Sequence, residues 1–187
     1  LIDTPMRTQD TSFASNVISM LFDRNPNLKP SAALPSSRVD LKALPPQEDV
    51  VVWMGHSSYF VQVGGKRILI DPVFSSNAGP FPGTNVAFPG TSVYTAEDMP
   101  PIDVLLVTHD HWDHLDYPSA KALLPKVGRV VAGLGVGEFF DRWGYPSERI
   151  HEAAPTAEAA RQLGAMLARL HASGAPWFGA PPPGYPD

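Results

Sequence analysis

The chain of 187 residues contains no cysteine, which excludes disulfide bonds and thiolate zinc sites. Any transition metal bound here must be held by His, Asp and Glu. The 14 Lys and Arg residues are outnumbered by 19 Asp and Glu, and the net charge is -5. Because no basic cluster offers an electrostatic footprint for a polyanion, we expect no nucleic-acid partner.

Long hydrophobic runs are also missing, and none approaches the roughly 18 residues that a membrane-spanning helix requires. The N-terminus lacks a charged region followed by a long apolar stretch, so no secretory signal is indicated. We expect a cytoplasmic location, with association to a membrane surface left open.

Composition divides the chain into three predicted segments. Residues 1–48 hold a short amphipathic helix at Thr11 to Phe22 and a Pro-containing lead-in, and residues 49–151 form an α/β domain. Residues 152–187 contain an Ala-rich helix at Thr156 to Ala172 and a Pro- and Gly-rich tail, which we expect to be disordered. The N-terminal helix is expected to pack on the domain, and the alternative is a membrane-surface contact.

The α/β interpretation of residues 49–151 depends on alternating strand and helix patterns. The pair Gly64-Gly65 between two β-rich runs indicates a two-residue hairpin. Further along, a strand, a histidine loop, a helix, a strand and a helix follow one another, which is an α/β order. The predicted strands are 50–54, 59–63, 66–70, 104–107 and 129–132, and the predicted helices are 118–126 and 136–143.

The histidine loop directly follows the buried strand 104–107. It contains three of the six histidines of the chain and a carboxylate: His109, His111, Asp113 and His114. Neutral imidazole and carboxylate are ligands that divalent zinc, iron and manganese accept. The spacing therefore predicts a metal site, and the alternatives are a single structural ion or a polar loop without metal.

The spacing of the four donors favours two ions. In an extended segment alternate side chains share a side, so His109 and His111 can hold one ion. Asp113 and His114 point elsewhere and can hold a second. Two ions roughly 3.5–4 Å apart activate water for hydrolysis of an ester or a phosphodiester.

Several motifs in order resemble the metallo-β-lactamase superfamily, whose signature is HxHxDH after a strand. The similarity extends from about residue 20 to residue 151 and is closest to the branch that contains N-acylphosphatidylethanolamine-hydrolysing phospholipase D and its bacterial relatives. The motifs that carry it are Trp53 to Ser58 (WMGHSS), Ile68 to Ser75 (ILIDPVFS), Met99 to Asp103 (MPPID) and His109 to Tyr117 (HDHWDHLDY).

The resemblance implies the N-terminal half of an αββα sandwich with two zinc ions at one edge. His109 and His111 would bind one ion; Asp113 and His114 would bind the other and take the catalytic roles. The implied activity is zinc-dependent hydrolysis of a phosphodiester in a small-molecule or lipid substrate, with contact to a membrane surface. A sugar-phosphate lactonase-like hydrolase is an alternative.

Other residues near the motifs have two interpretations each. The resemblance makes Asp71 a carboxylate that orients the histidine loop, although an Asp before Pro is often only a turn residue. His56 would contact substrate, support the loop or be a core histidine. Asp116 is expected to cap the helix that opens at Pro118, rather than to support the metal site. Trp112 is expected to be a packing residue.

The family supplies three more ligands from its second half, and this sequence shows no match to them. The later histidines, His151 and His171, do not stand in the family's motifs. We therefore expect a truncated relative that no longer completes the fold after about residue 151. This leaves an inactive remnant or interaction module as the alternative to an enzyme.

Overall fold

The structure is a computed structural model that describes residues 29–79, 83 and 85–153. The predicted helices at 11–22 and 156–172 and the predicted tail lie outside the described residues. Among the described residues, no helix combines the length and hydropathy needed to cross a bilayer.

One six-stranded sheet organises the described chain, with its strands in sequence order from edge to edge. Neighbours are antiparallel from the first to the third strand and parallel from the third to the sixth. The strands are β1 (Val50–Trp53), β2 (Tyr59–Val63), β3 (Lys66–Ile70), β4 (Ile102–Val107), β5 (Val127–Gly133) and β6 (Ile150–Ala153).

α-Helices form two of the three connections between parallel strands, as is usual for such crossovers. Helix α1 (Tyr117–Leu123) joins β4 to β5, and α2 (Gly137–Arg142) joins β5 to β6. Short 3-10 helices lie at Ala96–Asp98, Leu124–Lys126 and Ser147–Arg149. The α/β class is confirmed, and the single sheet fits one half of a metallo-β-lactamase sandwich.

The predicted hairpin between β2 and β3 is confirmed. Val63 pairs with Lys66, and the two residues between them have positive φ angles, 54° at Gly64 and 72° at Gly65. A two-residue turn with positive φ at both positions matches the twist of the flanking strands, and glycine adopts it without steric cost.

The core lies on one face of the sheet. A row of paired residues crosses four strands, and each member is at most 1% exposed: Phe60, Leu69, Leu105 and Val130. Leu123 of α1 and Phe140 of α2 belong to the same apolar cluster. On the opposite face, Ile68 and Val104 are only half-buried. The helices therefore cover one face of this sheet.

Part of the predicted lead-in packs on the domain. Leu41 is 1% exposed and belongs to the core. The side-chain amide of the buried Gln62 donates to the carbonyl oxygens of Pro45 at 2.8 Å and Glu48 at 2.9 Å. The last residues before β1 are thus fixed to β2, while the predicted division at residue 48 stays a prediction.

Three connections meet at one end of the strands, where β3 and β4 have their carboxyl ends; this end is called the site edge of the sheet. The chain leaves β3 at Asp71 and β4 at Thr108, and these parallel strands end side by side, with the N–H of Asp71 donating to the carbonyl of Leu106 at 3.0 Å. The turn between β1 and β2 lies at the same edge, because Tyr59 pairs with Ile70. Ligand sites in α/β sheets form at the carboxyl ends of parallel strands.

Candidate metal centre

The histidine loop begins in line with β4 and then closes into a turn. The carbonyl of His111 accepts the N–H of His114 at 2.9 Å and the N–H of Leu115 at 2.8 Å. The prediction of an extended segment is therefore wrong from His111 onwards. The chain folds back there, because the N–H groups of His114 and Leu115 both donate to the carbonyl of His111. The rings of His109 and His111 still lie together, with centroids 4.5 Å apart.

Asp71 lies directly behind this loop and is 2% exposed. Its Oδ1 accepts the backbone N–H of Thr108 at 2.8 Å. Its Oδ2 accepts the hydroxyl of Thr108 at 2.6 Å and faces Nδ1 of His114 at 2.8 Å. Asp71 also has a φ of 41°, in the left-handed region that a corner requires. It is thus a turn residue and a partner of the loop at once.

These contacts determine which ring nitrogens carry hydrogen. An ionised carboxylate only accepts, so Nδ1 of His114 donates to Asp71, and in the neutral form of this imidazole Nε2 then keeps its lone pair. The hydroxyl of Thr108 also donates to Asp71, so it accepts from Nδ1 of His109 at 2.9 Å. The buried carboxylate of Asp71 therefore orients two predicted ligands, His114 directly and His109 through Thr108, so that Nε2 of each neutral ring can bind a metal.

Asp113 and His114 come together with a residue from outside the loop. Oδ2 of Asp113 lies 3.6 Å from Nε2 of His114 and 2.9 Å from Nε2 of His56. One ligand atom from each of these three residues lies within 4.8 Å of the other two. The side chains at the edge thus form a three-donor group that could hold a metal ion.

The charge state of Asp113 suits this position. Burial by itself raises the pKa of the Asp113 carboxyl, but the hydrogen bond from His56, a backbone hydrogen bond and the charges of His114 and His56 outweigh it and hold the pKa below its usual value. The carboxylate is therefore ionised at neutral pH and available as an anionic ligand.

Asp116 takes the capping role that was expected for it. Its carboxylate accepts the N–H of Ser119 at 3.2 Å in the first turn of α1, and it also accepts the hydroxyls of Ser119 and Ser75. The N-cap prediction is confirmed. The prediction for Trp112 is wrong: the indole is 60% exposed, because the loop turns it away from the core.

The two later histidines, His151 and His171, were not expected to be metal ligands. His151 lies exposed on β6 and does not belong to the three-donor group. His171 lies outside the described residues. No role was predicted for Thr108 or for Ser58, whose hydroxyl donates to the carbonyl of Asp71 at 2.7 Å. The available signal was that Ser58 ends the motif WMGHSS and that Thr108 directly precedes the histidine loop.

Comparison with known proteins agrees with the resemblance that the motifs carry. A family model described as "Beta-lactamase superfamily domain" matches residues 66–175, more than half of the chain. The chain belongs to the metallo-β-lactamase superfamily. The match continues past residue 151, where the resemblance was expected to end. The superfamily predicted from the motifs is confirmed.

Relatives of this superfamily member include an uncharacterised protein of Mycobacterium tuberculosis, 30% identical over 150 residues that make up 79% of this chain and 40% of that protein. A UPF0173 metal-dependent hydrolase of Anaeromyxobacter sp. (strain K) is 31% identical over 66% of this chain and 43% of its own length. An N-acyl-phosphatidylethanolamine-hydrolyzing phospholipase D of Caenorhabditis elegans is 33% identical over 76 residues, 38% of this chain and 20% of that protein.

The chain spans about two fifths of the length of the first two of these relatives. Among solved structures, the diiron β-hydroxylase CmlA of Streptomyces venezuelae is 29% identical and aligns with 59% of this chain and 21% of its own, with a TM-score of 0.44.

Proposed function

We propose that this chain carries the metal-binding edge of a metal-dependent hydrolase. The observation that carries the proposal is the arrangement around His114: its Nδ1 is held by the buried carboxylate of Asp71, and its Nε2 faces the carboxylate of Asp113. A carboxylate behind a histidine is the usual support of a metal-ligating imidazole. The name of the Anaeromyxobacter relative supports the same reaction class.

The donor set fits zinc, since it consists of imidazole nitrogen and carboxylate oxygen. Asp113 and His114 would hold one ion, and His109 and His111 would hold a second. Bound divalent ions supply Lewis acidity and an activated water at neutral pH. The surrounding side chains prepare the ligands: Asp71 fixes the ring of His114 directly and that of His109 through a threonine hydroxyl.

For the substrate we propose a phosphodiester in a lipid, hydrolysed as by an N-acylphosphatidylethanolamine phospholipase D. The name of the Caenorhabditis elegans relative supports this substrate class. A second support is Trp112, which stands exposed between the predicted ligands His111 and Asp113. An indole has a large apolar surface and a polar N–H, so it suits the boundary between acyl chains and headgroups. The chain would thus meet its substrate at a membrane surface.

The test is hydrolysis by the full chain loaded with zinc. The panel consists of N-acylphosphatidylethanolamine in vesicles, a small chromogenic phosphodiester and a phosphorylated sugar lactone. We expect the lipid to be cleaved, and His111→Ala and Asp113→Asn to lower the rate at least about 100-fold, since outer partners of a metal already cost about 10–100-fold. His151→Asn, which removes an exposed imidazole outside the cluster, should leave the rate unchanged.

A non-catalytic interaction module is the second candidate. It is favoured by one observation: within residues 29–79, 83 and 85–153, the single three-donor group leaves out His109 and His111. Absence of hydrolysis of every substrate, with zinc shown to be bound, would support this candidate. Cleavage of the lactone alone would point to a lactonase instead of a phospholipase.

A further inference from the structure

His56 lies far from the histidine loop in sequence but beside it in space. It belongs to the turn between β1 and β2, 57 positions before Asp113, and its Nε2 lies 2.9 Å from the Asp113 carboxylate. Its ring packs edge-on against His114, with the centroids 5.6 Å apart. The imidazole thus reaches the same two donors that were predicted to hold one ion.

The backbone around His56 is fixed in an uncommon conformation. The φ of His56 is 44°, in the left-handed region that glycine adopts freely. Residues with a Cβ adopt it at a cost of about 1–2 kcal/mol, although asparagine, aspartate and histidine do so more often than the others. The preceding Gly55 has a φ of 102°, and a Cβ there would lie 2.7 Å from the carbonyl oxygen of Thr91. The indole N–H of Trp53 donates to the carbonyl of His56 at 2.8 Å.

The turn is also tied to the support of the loop. Within it, Ser58 donates its N–H to Gly55 at 2.9 Å, and the N–H of Met54 donates to Ser58 at 2.9 Å. The hydroxyl of Ser58 donates to the carbonyl of Asp71, whose side chain holds His114. The positions of His56 and His114 are therefore set by one connected framework.

We propose that His56 is a direct metal ligand, the third protein donor of the ion held by Asp113 and His114. This inference rests on the proposed metal-dependent function. Catalytic zinc sites have three protein ligands and keep one position open. Asp113 and His114 supply two, and His56 makes the third without any residue beyond β6. Its side chain is 52% exposed, which leaves one side of the group open to solvent and substrate.

The competing explanation is that His56 only holds Asp113 by a hydrogen bond. The two roles differ in what the loss of the imidazole does to the metal. Loss of an outer partner lowers metal affinity about 10–100-fold and leaves the ligands of the ion unchanged. Loss of a ligand removes one donor from the ion, so the affinity falls further and the ligand field changes.

The experiment is zinc binding by calorimetry on the metal-free full chain, with wild type, His56→Asn and His56→Gly. Asparagine and glycine both accept the left-handed φ, so each variant keeps the turn, and circular dichroism melting checks this. His151→Asn is the matched control for the loss of an exposed imidazole. We expect one zinc-binding event to weaken more than about 100-fold in both His56 variants and to stay unchanged in the control.

Visible absorption of the Co²⁺ form is the second readout, because its d–d bands report the number and type of ligands without any activity. We expect the bands of one ion to change in the His56 variants. A loss of affinity within about 100-fold with unchanged bands would overturn the inference and make His56 a support of Asp113. Unchanged zinc affinity would also overturn it and leave the proposed function standing, whereas a wild-type chain that binds no zinc would remove both.

Discussion

Replacing Asp71 by asparagine removes one acceptor while conserving shape and backbone preference. Asparagine tolerates the φ of 41° at this corner, so the fold has no steric reason to change. Its Oδ1 still accepts the N–H of Thr108. The amide nitrogen that replaces Oδ2 carries hydrogens, so it cannot accept from Nδ1 of His114, which lies 2.8 Å from that position in the native protein.

The expected response is a change of tautomer. With a donor in place of Oδ2, Nδ1 of His114 becomes the acceptor and the hydrogen moves to Nε2, the nitrogen that faces Asp113. The hydroxyl of Thr108 rotates as well and donates to Nδ1 of His109. The hydrogen of the His109 ring then also moves to Nε2. We expect the free energy of unfolding to fall by about 1–3 kcal/mol for one lost charge-assisted hydrogen bond, and zinc affinity to fall about 10–100-fold.

Long-range proton–nitrogen correlation spectra of the histidine rings, recorded without metal, measure the tautomer directly, and calorimetry measures the zinc affinity. Asp49→Asn is the control, because that carboxylate accepts only a backbone N–H in the β2–β3 hairpin, from Gly64 at 2.9 Å. If His114 in Asp71→Asn still carries its hydrogen on Nδ1, or if zinc binds within about threefold of wild type, the reasoning from Asp71 is refuted.

Three further outcomes are expected. Thr108→Val should weaken zinc binding about 10-fold or more with little loss of fold, because it removes the acceptor of Nδ1 of His109; equal affinity in calorimetry would contradict this. Lys126→Met should lower the free energy of unfolding in urea by about 2 kcal/mol, because the ammonium donates to three backbone carbonyls at 2.8, 3.0 and 2.9 Å; a loss below about 0.5 kcal/mol would count against it. The backbone N–H of Arg67 lowers the pKa of Asp103, so this carboxylate stabilises the fold above its unfolded pKa of about 3.9, and the contribution is lost as pH falls through the folded pKa. Asp103→Asn should therefore be less stable than wild type at pH 7, and thermal melting should show the difference shrinking as pH falls below about 3.9; a difference that does not depend on pH would contradict this.

The strands and helices were predictable because their signals are local. The Gly64-Gly65 hairpin needs only two glycines between β-rich runs, and the cap at Asp116 needs only its place before Pro118. The same holds for the histidine loop as a donor cluster, since its four donors are neighbours in sequence. Residue propensities did not predict the turn at His111, because it depends on two later backbone N–H groups that donate to the His111 carbonyl.

Contacts between distant segments were beyond the sequence. Whether Asp71 touches the loop depends on β3 and β4 pairing in parallel with a register that sets Ile70 beside Leu106. The approach of His56 depends further on β2 folding back along β3. A single sequence carries no register information of this kind, so each of the two residues kept two or three roles until the sheet was known.

The two left-handed corners at this edge differ in what compensates their strain. At Asp71 the buried side chain makes three hydrogen bonds. Together they outweigh the conformational cost of the left-handed φ, which is about 1–2 kcal/mol. At His56 the side chain makes one hydrogen bond to Asp113 from a half-exposed position, and exposed pairs of this kind contribute about 0–1 kcal/mol. Stability alone would therefore favour glycine at His56. The nitrogen of this imidazole is aimed at the two side chains that we propose to bind an ion, and a cation bound there would contribute the missing free energy.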